Sequence, residues 1–416
     1  MRFVLFGDEP VALDVARAIA AHPEHRLIGL VAGPGSSLNM PVLAAGMRCY
    51  RNWEELLADA DVDAVVVSGA GPEKQLAVRQ LIEAGKVVLL PPELTQPAEF
   101  FYELALVESE NPGRLFPLLG LRGHPLVVRL RERISQNALG KILHVQIERK
   151  IAASRAEGGL LLASSKLNRA LLSDADLLRT LCGAYDQVTA LRSGDVSQGY
   201  SLATVTLAGS AAPQAVWTAA AGTEDGWRLT LSGQSATVML EGQPESGRLR
   251  LTEIPGGKAA VPEEFHAEGG AWLLETFDDS VAAGSAPRKS AAAVPDQSQP
   301  ISLWEELARG VELVDAVERS VRRRRTIDVY FESPSERSMF KTHMTAVGCS
   351  LLVLTLLAVV VYLVLANAIV LPPLLKKTMV GVIFLPLGVF LLLQLLLFVA
   401  RPAARDAPSD SAPGRE

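Results

Sequence analysis

Residues 84–95 read AGKVVLLPPELT, from Ala84 to Thr95. Gly85 closes a helical pattern, because a residue without a side chain accepts the left-handed backbone that ends a helix. Val87–Leu90 is an unbroken apolar run, which a strand covered on both faces of a parallel sheet requires. Pro91-Pro92 then stops the strand, since proline has no N–H for a ladder. Outward from here the same alternation recurs. Strands are expected at Arg2–Phe6, Arg26–Val31, Ala64–Val67, Val87–Leu90 and Leu115–Leu119, with helices at Val11–Ala21, Trp53–Ala58, Lys74–Ala84 and Ala98–Glu108. Repeated βα units build a doubly wound sheet that receives ligands at the carboxyl ends of its strands.

Residues 1–119 therefore read as a Rossmann-like domain, and residues 120–331 as a second, α+β domain. A helix is expected from Pro125 to a stop at Leu139-Gly140. Residues 186–254 alternate apolar and polar at period two, as in Ser201–Leu207, Trp227–Leu231 and Ala236–Leu240, the pattern of a largely antiparallel sheet. An amphipathic helix at Glu305–Val321 and a strand at Thr326–Phe331 complete the domain. Ala282–Pro300, rich in Ala, Ser, Pro and Gln, is expected to be a loop.

AGKVVLLPPELT resembles the AGKHVLCEKP segment of the Gfo/Idh/MocA (glucose–fructose oxidoreductase/inositol dehydrogenase) family, and LGLRGHPLVVRLRERISQNALGKILHV is similar to that family's crossing into its second domain. Trp53–Gly85, Asp176–Val188 and Gly310–Val329 add to a resemblance that spans Arg2–Phe331. It implies NAD(P) as cofactor, a sugar or cyclitol as substrate, and a catalytic pair. That pair is a lysine from the Glu-Lys-Pro turn and a histidine from a D-x-G-x-H-x-x-D helix. It also implies a homo-oligomer formed through the second-domain sheet.

The residues depart from this pattern at each chemical position. Pro91-Pro92-Glu93 stands where the family reads Glu-Lys-Pro. Anchoring on Asp176–Gly183 places Ser173 at the histidine, Leu171 at the glycine and Arg169 at the first aspartate. No lysine occurs between Lys86 and Lys141 and no histidine between His144 and His266, so a shift of register restores neither group. Proton transfer needs a group that titrates near neutrality within reach of the substrate. The dinucleotide turn keeps Gly7 and carries Ala12 at its third position, with Gly69 across the cleft. These three are the candidate cofactor-binding residues. Glu9 replaces the glycine that lets the backbone approach a pyrophosphate. Asp8 and Glu9 bring negative charge to the phosphate site, and carboxylates together with Pro10 suit a self-capped helix start. Val31–Pro34 offers no ribose-binding acid.

Arg122 and His124, in Arg-Gly-His-Pro, are the cleft candidates for a relocated catalytic group; the competing reading is a solvated turn before a helix. Asp174 and Asp176, two residues apart on one helix, point to different faces, which makes Asp176 a structural hydrogen-bonding residue. No metal-ligand spacing is present. Cys49, Cys182 and Cys349 are odd in number and far apart, which fits a reducing compartment. The net charge of −6 gives no reason to expect nucleic acid as a partner. Phe3–Phe6 is too short for the h-region of a signal peptide.

After residue 331 the composition changes. Residues 332–343 read as a linker and 344–400 as a membrane hairpin. Met344–Leu375 and Thr378–Ala400 each contain no charge where a span is expected, at Thr345–Leu365 and Met379–Val399. Each holds a helix of about 20 residues, enough for roughly 30 Å of hydrocarbon. Arg337, Lys341, Arg401 and Arg405 flank the pair against Lys376 and Lys377 in the connection, which puts both termini and the folded domains in the cytoplasm. Arg322–Arg325 is a candidate contact for anionic headgroups or a solvated helix end. Residues 401–416 are expected to be disordered.

The fold class is thus an α/β Rossmann-like parallel sheet, an α+β domain with a largely antiparallel sheet, and two transmembrane helices. The expected function is a binding, sensing or scaffold module without standard dehydrogenase activity. The alternative is an active NAD(P)-dependent oxidoreductase on a sugar or cyclitol with altered cofactor and catalytic residues.

Overall fold

Short apolar strands and amphipathic helices alternate through the first third of the chain as their periodicity predicts. They form β1 (Arg2–Phe6), α1 (Pro10–Ala21), β2 (Arg26–Val31), β3 (Arg48–Tyr50), α2 (Glu55–Ala58), β4 (Ala64–Val67), α3 (Pro72–Glu83), β5 (Val87–Leu90), α4 (Ala98–Glu110) and β6 (Leu115–Pro117). These come from a computed structural model, which describes residues 1–31, 47–69, 72–92, 98–156, 159–195, 198–255, 262–266, 270–282, 303–329, 354–359 and 362. The six strands pair in parallel in the order β3-β2-β1-β4-β5-β6. The order reverses direction between β1 and β4, so the crevice of a doubly wound sheet opens above Gly7 and Gly69. Period two divides β1 between two cores: Phe3 and Leu5 face one side with α1, and Val4 and Phe6 face the other.

The chain continues as α5 (Pro125–Ser135), β7 (Ile142–Ala152), β8 (Ser154–Ala156), β9 (Gly159–Leu161) and α6 (Ser164–Cys182). Then come β10 (Gln187–Asp195), β11 (Gly199–Ala208), β12 (Gln214–Gly222), β13 (Gly226–Gly233), β14 (Ala236–Gln243), β15 (Arg248–Pro255) and β16 (Glu263–His266), followed by α7 (Ala271–Ala282), α8 (Leu303–Arg323) and β17 (Ile327–Asp328). The second sheet has nine strands in the order β16-β15-β14-β13-β7-β12-β11-β10-β17. It is mixed: β12 runs parallel to β7, and every other pairing is antiparallel.

α5 stops at Ser135, ahead of the predicted Leu139-Gly140. Asn137 takes φ 56°, and Ala138 N–H reaches back to the Arg133 carbonyl while Asn137 N–H reaches Ile134. This double closure satisfies the last carbonyls and ends the helix one turn early. α7, absent from the sequence reading, covers the face of the first sheet that carries Phe3 and Leu5. Its Trp272, Leu273, Leu274 and Phe277 are buried there with Ile19 of α1. α8 ties the two sheets together by packing on α4 and β10, and the Trp304 indole donates to the Phe101 carbonyl at 2.9 Å. Residues Met1–Phe331 therefore form one compact unit, and Glu332–Glu416 form another. Of the second unit, residues 354–359 and 362 are helical. The remainder of the predicted spans Thr345–Leu365 and Met379–Val399, and the predicted linker and tail, lie outside the described residues. No described helix is long and apolar enough to cross a membrane.

One buried carboxylate holds α6 on the second sheet. Asp174 is 0% exposed. Its Oδ2 accepts from Arg149 Nε on β7 at 2.7 Å and from Trp217 Nε1 on β12 at 2.7 Å. Its Oδ1 accepts from Arg149 Nη2 at 3.2 Å and from Trp227 Nε1 on β13 at 2.9 Å. A buried charge is tolerated only when paired and fully hydrogen-bonded, and four donors meet that requirement. Asp174→Ala removes the carboxylate that the Arg149 guanidinium and two indole N–H groups share in the core. The expected loss is about 3–5 kcal/mol of unfolding free energy, read as a lower urea midpoint at unchanged slope. The same change in an Arg149→Met background costs clearly less.

Candidate functional site

α6 presents three faces, and their spacing follows from 3.6 residues per turn. Asp174 faces the sheet. Asp176 faces the crossing between the two halves, where Arg122 Nε donates to both of its oxygens at 2.9 and 2.7 Å and Arg122 Nη2 adds a further short bond. Glu306 of α8 joins this group at 2.9 Å from Arg179 and 3.7 Å from Arg122. Burial works against the Glu306 carboxylate, but Arg179 and Arg122 outweigh it and hold the group below the usual range. The third face carries Lys166, Arg169, Ala170 and Ser173, at i, i+3, i+4 and i+7, into a cavity of about 470 Å³.

The cavity lies within the unit Met1–Phe331. Its other walls are Glu9 and Val11 at the start of α1, Pro91-Pro92 after β5, Leu118–Leu121, the ends of β7 and β13, and Trp272-Leu273. Pro92 and Ser173, which stand where the family resemblance puts a lysine and a histidine, thus share one cavity with Arg169. The chain brings the two positions together and supplies a proline and a half-buried serine there. Lys86 is no substitute. Its ammonium is spent at the opposite end of β5 on the carbonyls of Asp59 and Val62, at 2.6 and 2.9 Å. The ammonium groups that do border the cavity, Lys150 and Lys166, come from the second half of the unit, which spacing around the Pro-Pro turn could not reveal.

Arg122 and His124 do not line this cavity. His124 is fully buried. It is the N-cap of α5, with Nδ1 accepting from Leu126 N–H at 3.3 Å and Nε2 lying 3.3 Å from the Gly247 carbonyl. The rings of Phe265 and Trp272 pack edge-on at 5.4 and 5.5 Å. The turn is therefore buried rather than solvated. Cys182 is equally remote from chemistry, because burial pushes its thiol up to about 12.

The cofactor candidates meet in the crevice. Gly7 and Gly69 adopt φ 127° and 92°, and Ala12 is fully buried in α1. Lys74 of α3 folds back between the two glycines. Its ammonium donates to the Ser68 carbonyl and sits 4.7 Å from the Phe6 ring centroid. A Cβ placed on Gly7 would be 2.8 Å from this nitrogen, and one on Gly69 would be 2.9 Å away. The ammonium would attract a phosphate but fills the space a phosphate needs. Glu9 is the N-cap of α1 but makes no side-chain capping bond. This corrects the expectation of a self-capped helix, and it leaves the carboxylate on the cavity wall. These residues do not fit a dinucleotide in the pose the family resemblance implies. The stretch after β2 lies outside the described residues.

Among the described residues, His22, His25 and Asp278 could gather round a metal ion. Their hydrogen bonds argue otherwise. Glu24 N–H donates to His22 Nδ1 at 3.2 Å and the Met1 amine faces His25 Nδ1 at 3.2 Å. The Asp278 carboxylate lies 2.8 Å from His25 Nε2 and 3.9 Å from His22 Nε2, so the three groups already partner one another.

No protein-family model matches this chain, and no curated protein does. Solved structures do. The chain is similar to a myo-inositol 2-dehydrogenase from Lactobacillus plantarum at 17% identity, over 79% of this chain and 99% of that one, with a TM-score of 0.60. A myo-inositol dehydrogenase from Corynebacterium glutamicum matches at 17% identity over 80% and 99%, with a TM-score of 0.58. An Agrobacterium radiobacter oxidoreductase in complex with NAD+, L-tartaric acid and magnesium matches at 14% identity over 79% and 98%, with a TM-score of 0.62. The likeness is one of fold: a Rossmann-like sheet joined to a mixed-sheet domain, the oxidoreductase-like fold of Gfo/Idh/MocA type.

Burial lowers the His124 pKa, and the bond to Gly247 offsets only part of this. The unfolded chain then takes up a proton near pH 6.5 that the folded chain refuses, so this histidine removes stability as pH falls below about 6.5. His124→Asn keeps a capping side chain. The stability difference between wild type and variant shifts in the variant's favour as pH falls below about 6.5 and is flat well above it, as read from urea midpoints across pH.

Proposed function

We propose that this chain is a non-dehydrogenase protein of Gfo/Idh/MocA type, held at a membrane, that binds a small ligand as a sensing or scaffolding module. The observation that carries the reading is the cavity itself. It persists at the place where the resemblance implies catalysis, but Pro92 and Ser173 wall it. Neither a tertiary amide nitrogen locked in a proline ring nor an aliphatic hydroxyl titrates near neutral pH. Lys74 in the crevice beside Gly7 supports the same reading from the cofactor side. The test is a paired assay on the purified full chain. Titration with NAD+, NADH, NADP+ and NADPH leaves the melting temperature unchanged, and nicotinamide absorbance stays constant with myo-inositol or glucose. Saturable stabilisation together with hydride transfer to or from the nicotinamide would sink the reading in favour of an active oxidoreductase.

Membrane attachment is the second part of the proposal. It rests on the uncharged runs Met344–Leu375 and Thr378–Ala400 and on Leu354, Leu356 and Leu357, which are 64%, 68% and 61% exposed. Three leucines in one helical turn or so exposed to this extent call for lipid or another apolar partner. The expressed full chain stays with the membrane after alkaline carbonate washing, and deletion of residues 344–400 releases it. Release of the intact chain by carbonate would refute the anchor.

A further inference from the structure

Several charged and polar groups around the 470 Å³ cavity are already committed to partners in the protein. The Trp227 indole N–H is spent on Asp174 and that of Trp272 on the Gly120 carbonyl, so both rings offer apolar surface. Arg149 belongs to Asp174, Asp14 pairs with Arg17, and Asp225 accepts from Ala152 N–H at 2.7 Å. Pro91, Pro92, Leu118, Leu119 and Leu273 supply further apolar wall. The uncharged polar side chains of the lining are Ser173 and Gln243.

Two cations stand apart from this. Lys166 and Arg169 share the cavity-facing side of α6, and neither has a carboxylate partner among the described residues. Among the described residues, Lys166 makes one bond, a 3.5 Å contact to the Ala152 carbonyl. Lys150 borders the same cavity at the end of β7. Arg169 moreover stands where the family resemblance places an aspartate, so the charge at that position is reversed. The opposite wall carries the Glu9 carboxylate, which repels an anion from the α1 side and leaves α6 as its place.

Lys150, Lys166 and Arg169 make one side of the cavity cationic, and the prolines, leucines and indole rings make the rest of the wall largely apolar. We propose that the cavity binds an amphiphilic anion. A single carboxylate or phosphate lies against Lys166 and Arg169, and an apolar or aromatic body lies along Trp227, Trp272 and the Pro91-Pro92 turn. The volume falls within the roughly 300–1,000 Å³ typical of small-molecule sites. This assignment rests on the binding-module reading given above and specifies its ligand class.

The test uses the full chain in neutral-detergent micelles, with 2-naphthoate, uncharged 2-naphthalenemethanol and myo-inositol as probes in calorimetric titrations. Saturable binding of 2-naphthoate, roughly tenfold tighter than 2-naphthalenemethanol, is expected from two partly exposed charge contacts. In the Lys166→Gln/Arg169→Gln double variant, both sites being exposed, the preference collapses while 2-naphthalenemethanol binds as before. Equal affinity for the charged and neutral probes, preference for myo-inositol, or no binding of 2-naphthoate would each overturn the proposal. Such a result with unchanged response to NAD(P)(H) removes the ligand class alone, whereas hydride transfer removes the reading beneath it.

Discussion

The buried carboxylate of Asp174 is the constraint on which the second half of the unit turns. It has no access to water, so its charge survives only because Arg149, Trp217 and Trp227 converge on it from three adjacent strands. Those strands include the one parallel pair of the sheet, β7 with β12. A single side chain thereby sets the rotation and the axial position of α6 over the sheet. With 100° between successive residues, this rotation decides everything else the helix presents. Asp176 is turned to Arg122 at the crossing, and Lys166, Arg169 and Ser173 are turned to the cavity.

The site follows from the same geometry. In the family that the sequence resembles, chemistry needs a lysine after β5 and a histidine on this helix. Here the backbone still delivers both positions to one cavity, so what differs is side-chain chemistry and not architecture. The replacements share a direction. Groups that titrate give way to groups that do not, and the glycine turn that would approach a pyrophosphate faces the folded-back ammonium of Lys74. Arg122 and Asp176 are locked in a structural pair and His124 serves as a cap, whereas Lys150, Lys166 and Arg169 border the cavity. Cations therefore stand on the α6 side of a cavity that carries Pro92 and Ser173 at the two positions the resemblance singles out.

Much of the fold was legible in the residues. β1, β2, β4 and β5 begin and end where their apolar runs do, because a strand buried on both faces needs continuous hydrophobicity and cannot extend into Gly7, Ser68 or Pro91. The alternation across residues 186–254 likewise marks a sheet with one face covered. β3, β16 and α7 carried no comparable signal. β3 is three residues long with two exposed. α7 is helical chiefly because Trp272, Leu274 and Phe277 find a vacant face of the first sheet, a contact made across more than 150 residues of chain.

At the site, the sequence by itself determined which groups are missing. Absence of lysine and histidine over long stretches depends on no alignment, and Glu9 in the phosphate turn is read directly. It determined the local elements too, since periodicity and proline or glycine stops act over a few residues. Tertiary structure alone decided which groups are present together. That Lys74 reaches between Gly7 and Gly69, that Lys166 and Arg169 face the Pro91-Pro92 turn, and that His124 is a buried cap rather than a cleft residue all depend on side chains brought together from different elements. The physical reason is that burial and pairing are properties of three-dimensional neighbours. A residue's type says what it can do, and only its surroundings say whether that capacity is already spent.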